Sequence, residues 1–301
     1  MLFRRAMILV ALCALSMSLV ACGASRQSGI CGSLTPPATA KGDADGLIKQ
    51  GDAAWEQRAE ETQLRVAIDS WQKALAIDPS RADQRVKLAR AHYFLADGHL
   101  RFDEEREAEM VENLGAGAYQ AELGLGQLYP AFASKFCSRQ PYKVALQQLD
   151  KGALGAMYWY ATNLGKHALA TSIVEVLNQK DRIVAMMELL KSLDKTFFHH
   201  AADRYFGAFY TKIPFPSGDL PKSQGHFMAS IEGAPYYLAT KVLLASMNAA
   251  KGGNRALFKQ MLDEVVAFDL DSRPDLKPEN AAEQRKAQDL LDEIDIYFPE
   301  E

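Results

Sequence analysis

From Gly46 onward, apolar residues recur at helical spacing almost without interruption, and no stretch shows the alternation of a half-buried strand. The pattern predicts an all-α fold. Proline falls mainly between the periodic segments, at Pro79, Pro141, Pro214, Pro216, Pro235, Pro274 and Pro278, where it starts or stops helices instead of interrupting them. About 255 residues of this kind suffice for one large domain or two small ones. Upstream, residues 23–46 have no apolar period and are rich in Gly, Ser, Ala, Thr and Pro. That composition predicts a flexible tether over residues 22–45, ahead of a helical repeat domain over residues 46–301.

The helical part carries a repeat signature. In AIDSWQKALAIDP, Ala67, Trp71, Ala74 and Pro79 reproduce the A-x-x-x-F-x-x-A-x-x-x-x-P half of a tetratricopeptide repeat. The two alanines let helices approach closely, Trp71 fills the gap between them, and Pro79 ends the second helix. Leu88, Ala89 and His92 continue the pattern into the next helix. The chain also matches itself without gaps at an offset of 156 residues: Gly51 with Gly207, Leu64 with Leu220, Trp71 with Phe227, Pro79 with Pro235, Leu88 with Leu244 and Ala89 with Ala245. In both copies the glycine precedes the Ala67 or Ser223 position by 16 residues, about one helical turn more than in an ordinary repeat. Two related halves built from enlarged repeats are expected.

The N-terminus has a different pattern. Arg4 and Arg5 precede an apolar run from Ala6 to Ala21, broken only by Ser16 and Ser18. The run is shorter than the roughly 20 residues that span a hydrocarbon core, which favours a signal peptide over a permanent membrane span. It ends on Leu19, Val20, Ala21 and Cys22, which resemble the bacterial lipobox. Residues 1–21 are thus read as a lipoprotein signal peptide and Cys22 as the lipidation site. Stable anchoring needs two or more acyl chains.

GDAAWEQRA with the repeat that follows it, AMYWYATNLGKHA, DRYFGAFYTKIPFPSGDLPKSQGHF and ENAAEQRKAQDLLDEIDIYF cover most of the mature chain. Together they resemble one family, the T component of tripartite ATP-independent periplasmic (TRAP) transporters. Arg204, Gly207, Pro214, Gly218, Asp219, Phe227 and Asn280 fall where that family's pattern leads one to expect them. Two departures leave local turn geometry open: His199, His200 and Ala201 replace a turn rich in glycine and proline, and Pro221 lies just inside a helix start. The resemblance implies a tetratricopeptide-repeat-like helical solenoid with enlarged, irregular repeats. It also implies a tethered periplasmic accessory protein that works with the transporter's substrate-binding protein and holds or passes on a small organic ligand. Independently, stacked helix pairs leave a concave surface or channel for a partner. The alternative is a generic repeat scaffold lipoprotein that assembles envelope proteins. Gly23, where an aspartate would resemble an inner-membrane retention signal, slightly favours the outer membrane, and a homo-oligomer is compatible with the sequence.

Charge and cysteine usage narrow the partners. The full chain has 34 basic and 38 acidic residues, and loss of residues 1–21 removes Arg4 and Arg5, leaving a net charge of about −6. Nucleic acid is not an expected partner. Without Cys13, and with Cys22 acylated, Cys31 and Cys137 remain as an isolated pair in an oxidising compartment, open to a disulfide or to two unrelated thiols.

Enzyme motifs fail individually. There is no H-E-x-x-H or E-x-x-H at any histidine. Gly165-Lys166 resembles the end of a phosphate loop, but Tyr160 stands where the earlier glycine is needed. Ser192 and Lys195 satisfy S-x-x-K without its companion motifs. Gly115, Gly117, Gly124 and Gly126 make no dinucleotide fingerprint, and adjacent His199 and His200 face different directions on a helix. No catalytic residue, metal or cofactor is expected. The candidates for a ligand or partner cleft are aromatic residues with charge partners: Trp159, Asn163 and Lys166 on one helix, Arg204, Tyr205 and Tyr210 on another, and Asn280 near the C-terminus. Packing is the simpler reading of any one of these aromatics, so the expectation attaches to the group.

Overall fold

The computed structural model describes residues 29–299 apart from Phe215. The signal-peptide region and Cys22 lie outside the described residues. Helices α1 (Ala44–Trp55), α2 (Glu61–Ile77), α3 (Ala82–Phe94) and α4 (Glu107–Leu128) are followed by two short ones, α5 (Pro130–Cys137) and α6 (Tyr142–Leu146). Next come α7 (Leu154–Thr171), α8 (Ile173–Leu193), α9 (Phe197–Lys212), α10 (Leu220–Gly233) and α11 (Ala239–Leu243). The chain ends with α12 (Arg255–Val266), α13 (Lys277–Asp292) and α14 (Ile294–Tyr297). The protein is all-α, with no strand among the described residues. None of the described helices is long and apolar enough to cross a membrane.

Helix starts follow the local chemistry. Asp43 caps α1 by accepting from the Gly46 amide at 2.9 Å, Ser172 caps α8 through the Glu175 amide at 3.1 Å, and Asn254 caps α12 through the Leu257 amide at 3.0 Å. Asp219 does the same for α10, accepting from the Lys222 amide at 2.9 Å. Pro221 therefore sits in the first turn of α10, where its missing N–H costs nothing.

Neighbours in sequence pack as neighbours in space: α1 on α2, α3 on α4, α7 on α8, α9 on α10 and α12 on α13, while α4 also lies along α7. Trp71 is 2% exposed, at the centre of a core made by α1, α2 and α3. Phe227 is fully buried at the matching place between α9, α10 and the helices that follow. Each ring presses on the glycine of the helix before it, so a Cβ on Gly51 would overlap Trp71 and one on Gly207 would lie 2.6 Å from Phe227. A third core, from α4 through α9, joins these two ends and includes Met157, Leu164, Met186, Leu190 and Phe206.

The segment expected to be a flexible tether is fixed from Gly29 onward, which corrects its extent. Ile30 is 3% exposed and packs into the central core, and Cys31 is disulfide-bonded to Cys137 at the end of α5. The Gly29 amide donates to the Glu122 carboxylate at 2.8 Å, and the amides of Thr39 and Ala40 donate to the Ala76 carbonyl. Composition marked this stretch as linker because it lacks an apolar period; single buried side chains and a cross-link hold it instead.

Two π-helical turns interrupt the regular geometry, Leu95–His99 after α3 and Leu244–Ala249 after α11. Such turns cluster at functional sites. A third irregularity opens α9, where Phe198, His199 and His200 have φ of 42°, 58° and 57°. Left-handed backbone costs about 1–2 kcal/mol per non-glycine residue, so the surrounding structure must hold this turn in place. It occupies the position where the sequence left the turn geometry open.

Candidate functional site

Both π turns border one cleft, and the left-handed turn bonds to Arg204, which lines it. Its inner end is a cavity of about 160 Å³ between α7, α8 and α9, closed by Leu243 and Met247. The sequence leaves this space by placing small residues on the facing stripes: Ala161, Thr162 and Gly165 on α7, and Ala201 and Ala208 on α9. The remaining wall is largely apolar, with Leu169, Val176, Ile183, Tyr205, Phe209 and Ile213. A wider chamber of about 700 Å³ shares Tyr93, Tyr158, Lys166, Arg204 and Lys212 with it and extends to α13, where Glu279, Asn280, Glu283 and Lys286 line it.

Arg204 stands where the two spaces meet. Its side chain is buried and, among the described residues, bonds to neutral oxygens: the His199 carbonyl at 2.8 Å, the Tyr158 hydroxyl at 3.1 Å and the Phe198 carbonyl at 3.2 Å. Its guanidinium also lies 4.4 Å from the centre of the Tyr237 ring. The left-handed turn is what presents both carbonyls to it. Beside it, the His199 ring stacks on Tyr237 at 4.6 Å, and burial together with Arg204 and Arg273 lowers its pKa to about 4. This imidazole is neutral at physiological pH.

Asp97, in the first π turn, is the charged hub of the wider chamber. It accepts from Lys166 of α7 at 2.5 Å, from Lys286 of α13 at 2.7 Å and from Arg101 at 3.3 Å. Burial alone would raise its pKa, but Lys166, Lys286 and Arg101 outweigh that and hold it well below the ordinary carboxylate range. A second cluster crosses the same seam: Glu279 of α13 pairs with Arg58 at 3.0 Å and with Arg90 at 2.9 Å. The two ends of the chain are therefore held together by ions around the cleft.

Of the sequence-predicted candidates, Lys166 and Arg204 line both spaces, Tyr205 lines the apolar cavity and Asn280 the wider chamber. Asn280 is also structural, holding the Tyr236 carbonyl at 3.0 Å and the Leu238 amide at 3.3 Å. Trp159, Asn163 and Tyr210 line neither of these two spaces. Asn163 is fully buried and donates to the carbonyls of Trp159 at 2.8 Å and Ala89 at 3.2 Å. Trp159 packs between Tyr93, Tyr158 and Phe198, and Tyr210 stacks on His226 under Lys222. Asp97, Tyr237, Lys212 and Lys286 escaped sequence reasoning. Only Lys212 left a readable trace, because it lies on the helical stripe that carries Arg204, Tyr205 and Ala208.

The model of one family, TRAP transporter T-component, matches residues 101–298. The chain belongs to this family. The match takes in α7, α8, α9 and α13 but begins after Asp97 and after the N-terminal helices carrying Gly51 and Trp71. Among curated proteins, none matches the chain. Membership makes the protein an accessory component of a TRAP transporter, associated with the membrane of the cell envelope.

Proposed function

We propose that the protein is a lipid-anchored, periplasmic accessory of a TRAP transporter, which binds the transporter's substrate-binding protein and holds a small organic ligand in its central cleft. The fold serving this role is a tetratricopeptide-repeat-like stack of enlarged helix pairs. The family assignment supports the partner, and the ligand-holding part is carried by one observation: an apolar cavity opening into a wider polar chamber, with Arg204 buried at the junction. At the rim, Leu169, Ile173, Val174 and Leu177 expose 43–61% of their surface around the α7–α8 connection, and Leu169 is also a wall residue of the cavity. Docking there would set the partner's ligand site against the cavity mouth.

Calorimetric titration of the mature chain with the cognate substrate-binding protein should show a reversible complex with Kd near micromolar, about −8 kcal/mol. Substitution Ile173→Asp should weaken it about tenfold, since it places a charge in the contact while favouring the helix N-terminus it occupies. No heat at concentrations near 100 μM would remove the accessory reading. Anchoring is tested separately by mass spectrometry of the envelope-extracted protein, where an acylated N-terminal peptide beginning at Cys22 is expected. An unmodified peptide beginning elsewhere would remove the lipid anchor.

A further inference from the structure

We infer that the corner formed by α5 and α6 rests on an anionic phospholipid surface and sets how the body stands on its membrane. The inference rests on the reading that Cys22 carries the lipid. Gly29 is fixed to the body and stands seven positions after Cys22, so this point lies at most about 25 Å from the anchor. The chain is held here twice more, by Ile30 in the central core and by the Cys31–Cys137 disulfide, which brings the two Cα atoms to 5.3 Å. The end of α5 is therefore tied to the bilayer by a short lead.

That corner carries a charge opposite to the rest of the chain. Residues 129–151 hold Lys135, Arg139, Lys143 and Lys151 against one acid, Asp150, in a protein of net charge −4. Asp150 is already engaged, accepting from the Tyr129 hydroxyl and from the Gly152 amide at 2.8 Å. Its bond to Tyr129 also folds Lys151 back to the start of α5, an eight-residue helix about 12 Å long. Arg139 and Lys143 lie at the other end, on either side of the turn into α6. Arg139, Lys143 and Lys151 are exposed, and their side chains form no ion pair among the described residues. Asp194 attracts Lys151, but Thr196 bonds that carboxylate at 2.8 and 2.9 Å. Arg139 also holds a φ of 57°, which glycine or asparagine adopts more readily, so the backbone gains nothing from an arginine there. Cations at both ends of α5 do not converge on one small anion; they match a plane of headgroup phosphates. Each one within a Debye length of about 8 Å improves partition onto an anionic bilayer about fivefold.

The test couples Cys22, the one thiol of residues 22–301 outside the disulfide, to a maleimide-bearing lipid, which supplies the tether whether or not the cell acylates it. Vesicles of phosphatidylcholine alone are compared with vesicles holding about 30% phosphatidylglycerol, and lysine acetylation is read by mass spectrometry. Lys143 and Lys151 should react at least about fivefold more slowly on the anionic vesicles, while Lys259 of α12, also exposed, keeps its rate. Salt at about 1 M, where the screening length falls to about 3 Å, should remove the protection without releasing the protein. When Arg139→Gly is combined with Lys151→Gln, Lys143 should lose its protection, because two cations fewer weaken the contact about 25-fold. Neither change breaks an ion pair, and glycine suits the backbone of residue 139. Equal rates on both vesicles, equal slowing of Lys259, or protection kept in the double variant would each overturn the inference. Protection by the substrate-binding protein with none on anionic vesicles would make the corner a protein contact instead. Lysine protection without an acylated Cys22 peptide from the cell removes only the natural anchor. The reverse pattern removes only the basic surface.

Discussion

Truncating Trp71 to alanine should cost about 3–5 kcal/mol in chemical denaturation, and truncating Phe227 should cost less within the same range. Both rings occupy equivalent places, wedged between a glycine-bearing helix and the helix that follows, and both are essentially inaccessible. What differs is their surroundings. Trp71 sits among Leu64, Ala67, Ile68, Leu75, Leu88 and Ala91, so its removal leaves a dry void whose lining loses its contacts outright. Phe227 shares its helix face with Ser223 and Ser230, which lie four residues before it and three after. Ser223 bonds to the Gly207 carbonyl at 2.7 Å and to Thr211 at 2.6 Å, and Ser230 lies 3.3 Å from the Thr240 hydroxyl. Water entering the Phe227 void would find polar partners, which lowers the penalty. Urea titration of both variants with the disulfide intact measures the difference. Losses well under 1 kcal/mol for both would show that these rings do not bind the helix pairs together.

Trp71 and Phe227 also show how far the sequence could be read. Their burial follows from local spacing, because a large ring placed between small residues at helical intervals has nowhere to go except into the neighbouring helix. Lys166, Arg204 and Tyr205 line the cavity for a related reason, since each lies on a stripe that faces a space left by small residues. The same rule does not separate these from Trp159, Asn163 and Tyr210, which line neither space. Aromatic and polar side chains at helical spacing mark a covered face, and only the opposing helix decides whether that face closes on protein or on a cavity. The left-handed turn at Phe198–His200 could not be anticipated, because its residues have no preference for that backbone and are held by Arg204, Tyr237 and the stacking around them. Ile30 was hidden within a linker-like composition, although the neighbouring Cys31 was legible as one of two cysteines left to pair. Asp97 was hidden because its partners lie 69 and 189 residues further along the chain.

Replacing Asp97 with asparagine should cost about 3 kcal/mol at pH 7, the low end expected when one member of a buried ion cluster is removed and its cations are left unmatched. Lys286 is 5% exposed and would lose its principal tie to the N-terminal half, retaining Glu283 at 2.7 Å. Lys166 is about one-third exposed and can turn towards the chamber water, which is why the low end applies. The pH dependence separates this charge effect from simple packing loss. The folded pKa of Asp97 is depressed, so its contribution is fully present above the ordinary carboxylate pKa and is lost as pH falls through the depressed folded value. The gap between the parent protein and Asp97→Asn should therefore be constant from pH 7 to about 4 and close as pH falls further. His199 provides an internal control. Its pKa is lowered to about 4, so both proteins should lose stability together between about pH 6.5 and 4, as the unfolded chain takes up a proton that the folded one refuses. Denaturation of both proteins across this range gives the answer. A gap that stayed constant down to pH 2 would mean that Asp97 acts through shape, and that its charge does not hold α13 against the cleft.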